Sequence, residues 1–444
     1  MAVHPSAAVP IMRPHLPPLD QFAQLVAELF ETRMLSNFGK YTGLLEERAS
    51  GLLDHPSPLC VSSCDIGLTL AWQALECPPG EVIVPSFTFC STVNALRWNG
   101  LEPVFADVDP QTYCIDVEDV RRLITPRTVG IAAVHVFGLP AAIEPLEGLA
   151  REHGLKLIFD AAHGLGGRYR GTALGAFGDA SAFSLSGTKL VTGGEGGLVT
   201  FRDPDDAERF TFLRVYGFKE DYNCRYVGLN GKLSELNAAL GWLSLDLLED
   251  ALARRHAQVE RYRRRLADCP GLSWQLVPPE CVHGYKDLAV RFRKPEQRVA
   301  AEAALAAAGV MTKRYFFPVH RMEVYREFTN RFLPVTDHLH ERLLCIPLYY
   351  DLSDDRIDGI AGIIRRSLGL GSTHHYAAGG SPGPGGPGVA EANEQDYPGR
   401  SGPRLTSFAP SAALTRGATW HAHVQPSVPS LMLRKVRDGH GTGH

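Results

Sequence analysis

The sequence predicts an α/β fold on a mainly parallel sheet, followed by a second, smaller domain. Three observations carry this reading. Apolar runs at 81–85, 103–109, 129–136, 155–159, 180–185 and 198–201 have strand length and stop at turn residues. Helical stretches, 117–123 and 144–153 among them, alternate with these runs, as βαβ units require. The chain has 444 residues, too many for one simple core. The division falls near residue 250. Residues 1–250 form an N-terminal segment and large domain, 251–370 a smaller α+β domain, and 371–444 a tail. The tail carries 13 Gly and 8 Pro with no sustained apolar period, so it is expected to be disordered.

Composition narrows the function classes. Apolar residues make up 44% of the chain and charged residues 21%, ordinary for a soluble globular protein. A net charge of −4 gives no broad attraction to nucleic acid or to a membrane surface. No apolar run reaches transmembrane length, since 130–150 is broken by His135, Pro140 and Glu144. Pro5, Pro10 and Pro14 interrupt any apolar signal core, so a cytoplasmic protein is expected. The nine cysteines are scattered, and Cys60 and Cys64 have no second pair at metal-ligand spacing. Reduced thiols and no metal are expected.

Taken in order, residues 20–32 read as a helix from the spacing of Phe22, Leu25, Val26, Leu29 and Phe30, with Asp20 as its cap. Residues 35–40 break that pattern, and a second amphipathic helix is expected over 44–53. The helix running to Leu75 begins near Ser63-Cys64-Asp65. Its free amides and positive dipole end would suit a phosphate, with Asp65 as cap and the amides of Asp65 and Ile66 as donors. The strand at 81–85 leads to Phe89. A helix ends near 213–217, and a long helix runs to about Ala267. The basic run 263–265 on that helix reads as a solvated face. A strand at 288–292 and a helix at 355–368 complete the second domain.

The centre of the chain is residues 155–201. One apolar run ends at Asp160, and the next leads to Ser184 and then Lys189. Both chemically active residues therefore lie at strand ends, where open α/β sheets bind ligands. An acid and a lysine held this way suit pyridoxal phosphate. That cofactor needs a lysine amine for its Schiff base and a carboxylate to keep the pyridine nitrogen protonated. The turn at 193–197 lacks the G-K-[ST] ending of a nucleotide phosphate loop.

Three motifs in order, Phe-Asp-Ala-Ala-His (159–163), Phe-Ser-Leu-Ser-Gly-Thr-Lys (183–189) and Gly-Glu-Gly-Gly (194–197), resemble the signature of the DegT/DnrJ/EryC1/StrS aminotransferases. The resemblance runs from about Leu16 to about Leu368. It implies the aspartate-aminotransferase fold (PLP fold type I) with a seven-stranded sheet, and an enzyme aminating nucleotide-linked keto sugars with L-glutamate as donor.

The resemblance also implies roles. Lys189 would hold the cofactor and move protons, Asp160 would face the ring nitrogen, and His163 the ring oxygen. Ser184, Cys64, Asp65 and Ile66 would hold the phosphate, although the family usually has Asn-Gly-Thr at 63–65. Phe89 would stack on the ring, Asn230 would reach the phosphate bound by the partner of a homodimer with shared sites, and Tyr315 and His320 would lie near the sugar nucleotide. The family usually has Arg where Lys232 stands, so a bidentate contact is lost there. A 4-keto-6-deoxyhexose is the favoured substrate, ahead of a 3-keto sugar or a cyclitol. Family dehydratases carry His at the lysine position, so Lys189 argues against that reaction. A non-catalytic binding or regulatory relative is the alternative, disfavoured by the intact Asp160, Ser184 and Lys189.

Overall fold

The computed structural model describes residues 9–219, 221–329 and 331–370. The tail assigned to 371–444 lies outside the described residues. Nine strands come first: β1 (Leu59–Val61), β2 (Glu81–Pro85), β3 (Glu102–Ala106), β4 (Thr128–Val134), β5 (Lys156–Asp160), the small hairpin β6 (Arg168–Tyr169) and β7 (Thr172–Ala173), β8 (Ala180–Ser184) and β9 (Gly197–Phe201). Four more follow the long helix Leu248–Arg265: β10 (Leu272–Trp274), β11 (Cys281–Val282), β12 (Leu288–Phe292) and β13 (Leu343–Ile346).

Seven strands form one sheet in the order β1-β9-β8-β5-β4-β2-β3. Pairings from β3 through β8 are parallel, and only β9 runs against its neighbours β8 and β1. Alternate residues of one strand enter different cores. Ile83, Ala133, Phe159 and Phe183 pack on one face, and Val84, Ala132, Ile158 and Ala182 on the other. A sheet covered on both faces explains why its strands read as continuous apolar runs. A third core gathers Val290, Phe292, Leu344 and Ile346 from the antiparallel sheet β10-β12-β13 with Val259, Leu305, Ile360 and Ile364 from helices. We propose that this core marks the smaller domain, 251–370. No helix among the described residues is long and apolar enough to cross a membrane.

Two helix starts differ from expectation, each for a physical reason. Helix α1 (Leu19–Thr32) begins one residue early with Pro18 at its N-cap position, so Asp20 lies in the first turn and does not cap. Helix α2 (Lys40–Leu53) begins well before residue 44. Its N-cap is Gly39, which has no side chain to cap with, and the cap comes from elsewhere. The fully buried carboxylate of Glu235 accepts from the amides of Gly39 (2.9 Å), Tyr41 (2.7 Å) and Thr42 (3.3 Å) and from the Thr42 hydroxyl. A negative charge at a helix N-terminus also suits the dipole. Glu235 itself opens the helix Glu235–Ser244, capped by Ser234. The basic run at 263–265 is divided rather than wholly solvated. Arg264 is exposed, whereas Arg265 joins Arg261 in gripping Asp358 with paired contacts of 2.5–2.8 Å.

Glu235→Ala would leave three amides and a hydroxyl without their buried acceptor. The expected loss is about 3 kcal/mol of stability, read as a lower thermal midpoint, with Glu235→Gln losing less. An unchanged midpoint in Glu235→Ala contradicts the assignment.

Candidate active site

Strand β5 ends at Asp160, which is 5% exposed. Its Oδ2 accepts from the Thr92 hydroxyl at 2.6 Å and its Oδ1 from the Ala162 amide at 3.0 Å. Thr92 lies in the first turn of α4 (Cys90–Trp98) and its hydroxyl is 2.8 Å from that of Thr88. Burial pushes the Asp160 carboxyl above its usual range, and Thr92, the Ala162 amide and the Lys189 charge oppose that push. Lys189 sits in the turn after the adjacent strand β8, its amide donating to the Ser186 carbonyl at 2.9 Å. Burial, then the nearby Lys286 ammonium, bring the Lys189 amine down to about 8, against the pull of Cys64, Asp287 and Asp160. Asp160 and Lys189 are thus within electrostatic reach of one another.

The other expected residues divide between this centre and its surroundings. His163 stacks on Phe137 (6.4 Å, 14°) and Phe316 (6.3 Å, 18°). Its buried Nδ1 has no hydrogen-bond partner. Burial and the charges of Lys189, Lys286 and Lys313 hold its pKa well below the usual histidine value, so the ring is neutral. Phe89 caps α4 from the end of the β2 segment, and its large ring is exposed. Its carbonyl accepts from the Thr92 amide at 3.3 Å, which places it one turn from the Asp160 partner. Ser184 is buried at the end of β8, its Oγ accepting from the Ser186 amide at 3.3 Å. Helix α3 (Cys64–Ala74) starts at the expected place, but Ser63 rather than Asp65 is its cap. The Ser63 hydroxyl takes the Ile66 amide at 3.2 Å, and Asp65 is exposed in the first turn. The amides of Cys64 and Asp65 are then the first-turn donors that helix geometry leaves over. The Cys64 thiol lies 3.5 Å from the Ala182 carbonyl.

His320 lies in the interior, hydrogen-bonded through one ring nitrogen. Nδ1 is 2.6 Å from the Ser86 hydroxyl and Nε2 is 3.6 Å from Asp337. It ties the 316–320 segment to the end of β2. Tyr315 is half-buried, edge-on to His163 at 6.4 Å. Asn230 is exposed on a loop bridged to Val215. Sequence reasoning missed Thr92, whose signal was its place three residues past Phe89. It also missed Lys286 and Asp287, two charges directly ahead of the apolar run 288–292.

The sequence model of the DegT/DnrJ/EryC1/StrS aminotransferase family matches residues 19–365. The chain belongs to this family. It is a pyridoxal-phosphate-dependent aminotransferase. It is 34% identical over 373 residues, 82% of this chain and 99% of the relative, to the UDP-N-acetyl-3-dehydro-α-D-glucosamine 3-aminotransferase of Acidithiobacillus ferrooxidans. It is 29% identical over 80% of this chain and 98% of the relative to the dTDP-4-amino-4,6-dideoxy-D-glucose transaminase of Escherichia coli. Among solved structures, DesI in the presence of its TDP-sugar product is 35% identical, with a TM-score of 0.77 over 81% of this chain and 93% of that one. TlmJ from Streptoalloteichus hindustanus is 29% identical, with a TM-score of 0.78 over 82% and 99%.

The residues of this aminotransferase fit the cofactor. Lys189 offers an amine with a pKa of about 8, Asp160 a buried carboxylate within its field, and His163 an unpaired ring nitrogen close enough to feel the Lys189 charge. Phe89 presents an uncovered ring, and the start of α3 with Ser184 offers donors to a phosphate.

Thr92→Val removes a hydrogen bond to a charged partner, and kcat of the loaded enzyme is expected to fall by about tenfold or more. An undiminished kcat would show that Asp160 needs no such support. The lowered Lys189 pKa makes a second expectation. The rate at which cofactor-free protein captures pyridoxal phosphate should rise with pH through about 8 and then level off. A rate that keeps climbing to pH 10 would mean an ordinary lysine.

Proposed function

We propose that this aminotransferase moves the amino group of L-glutamate onto the keto carbon of a nucleotide-linked deoxysugar, a 4-keto-6-deoxyhexose first among them. The observation that carries the proposal is the pairing of Asp160 and Lys189 at neighbouring strand ends, beside the unpaired Nδ1 of His163. Similarity to a transaminase of a dTDP-linked 4-amino sugar and to DesI with its TDP-sugar product supports the substrate class. Amination at C3 is the second reading, favoured by the 34% identity to a 3-aminotransferase.

Pyridoxal phosphate, when bound, supplies the electron sink that lets an α-proton leave an amino acid. Lys189 Nζ would take the proton from the donor Cα and hold it for return, which its pKa near 8 permits at neutral pH. Asp160 would face the ring nitrogen of the bound cofactor and stabilise a positive charge there. Its hydrogen bonds from Thr92 and Ala162 fix its orientation and favour the charged form. His163 Nδ1 would address the ring oxygen. Phe89 would stack on the ring face, while Ser184 Oγ and the amides of Cys64 and Asp65 would hold the phosphate. Tyr315 would lie on the substrate side of the site, on the segment that His320 ties to Ser86.

We further infer a homodimer with shared sites, Asn230 reaching the cofactor phosphate of the partner. Exposed apolar side chains support it. Tyr222, Val227 and Leu229 flank Asn230, and Leu19, Phe30 and Leu35 line the first helix and the segment after it.

The test is incubation of the loaded protein with L-glutamate and a panel of 3-keto and 4-keto sugar nucleotides. The expected result is an aminated 4-keto substrate with 2-oxoglutarate in equal amount. Absence of both an aminated sugar and a glutamate half-reaction refutes the proposal.

A further inference from the structure

Lys286 and Asp287 precede β12, and neither is used by the chemistry above. Their side chains are 5% and 7% exposed, and the ammonium is 3.1 and 3.0 Å from the two carboxylate oxygens. The backbone holds the pair in place. The Lys286 amide donates to the Phe137 carbonyl and the Gly284 amide to the Gly138 carbonyl, each at 2.9 Å. Gly138 has φ +102°, and a Cβ there would lie 3.0 Å from the His163 carbonyl and 3.1 Å from the Tyr285 amide, so glycine is what lets the two segments meet. The buried Arg255 donates to the Tyr285 carbonyl at 2.8 Å and to that of Lys286 at 3.2 Å.

A second lysine approaches the same spot from the following segment. Tyr315 is shared between them. The Lys286 ammonium is 5.6 Å from its ring centre and the Lys313 ammonium 4.1 Å, the latter also donating to the Tyr315 hydroxyl at 2.6 Å. The same Tyr315 ring meets His163 edge-on. Two lysine ammoniums, 286 and 313, therefore flank Tyr315 and act on His163 beside the reacting Lys189, and Asp287 is the acid among them, Asp160 being turned to the ring nitrogen in our reading. A buried ammonium is costly unless its charge is met, and here the cations outnumber the local acid. The imbalance describes a place built to receive an anion beside the reacting amine.

We propose that Lys286 and Lys313 form the subsite that receives a carboxylate of the amino donor, with Tyr315 as the platform between them and Asp287 holding Lys286 in position while the subsite is empty. Lys286 is the buried contact and Lys313 the exposed one, at the rim. The donor class this selects is an anionic amino acid rather than a neutral amine. The inference rests on the aminotransferase reading and names the group that would recognise its donor. Lys286 and Lys313 act in binding; neither moves a proton.

The experiment is a stopped-flow half-reaction of the loaded enzyme with L-glutamate, comparing the parent with Lys286→Met, Lys313→Met and the double variant. The steady-state KM for the accepted keto sugar nucleotide is measured alongside. Loss of one charged hydrogen bond predicts an apparent Kd for L-glutamate weakened about 10- to 100-fold in Lys286→Met. A smaller change is expected in Lys313→Met, with the sugar-nucleotide KM within about twofold of the parent in both. Lys313 is exposed, so its variant reports even if the buried Lys286 substitution fails to fold. An unchanged glutamate Kd in Lys313→Met and in any folded Lys286 variant overturns the proposal. So does a rise confined to the sugar-nucleotide KM, which would assign the lysines to the diphosphate. If the parent itself takes no amino group from L-glutamate, the aminotransferase reading fails and not merely this subsite.

Discussion

The carboxylate of Asp160, buried yet held ready to carry charge, is the constraint on which the rest of the structure turns. Burial alone would push it toward the neutral form. Two hydrogen bonds, from Thr92 and from the Ala162 amide, and the Lys189 charge push the other way. Each opposing group comes from a different element. Thr92 comes from the first turn of the helix after β2, Ala162 from the turn after β5, and Lys189 from the turn after β8. The order β8-β5-β4-β2 sets those turns along one edge of the sheet. The parallel sheet matters to function because it puts these strand ends side by side.

The surroundings extend the same logic outward. The 283–287 and 313–320 segments reach the site through the turn after β4, where Gly138 permits close approach, and through His320, whose ring is locked to Ser86. Glu235 caps α2 across the chain and fixes the segment around residue 39. Each of these is a polar group satisfied deep inside the protein by a residue far away in sequence, so each is costly to break and specific in what it positions.

Much of this was legible in the sequence because the signals were local. The runs ending at Asp160 and Ser184 are short, apolar and bounded by turns, and the strands of the structure end there. The start of α3 was placed correctly, but its cap was not. Ser63 and Asp65 are both capping residues, and only the backbone conformation, extended at Ser63, decides between them. The start of α2 was missed for the opposite reason. Its cap is Glu235, which no local pattern around residue 40 can reveal. Thr92 and Lys286 were hidden likewise, since a hydroxyl in a helix and a lysine ahead of a strand are ordinary until the fold brings them to Asp160 and Lys189. The tie between His320 and Ser86 was hidden in the same way, since 234 residues separate the two in sequence.

The central claim is that the Lys189 amine is where pyridoxal phosphate is attached, and borohydride reduction of the loaded protein followed by peptide mass mapping tests it most directly. The account predicts a phosphopyridoxyl group on the peptide containing Lys189 and on no other lysine. A label carried by Lys286 or Lys313, or no label in a protein that retains the cofactor, would contradict it.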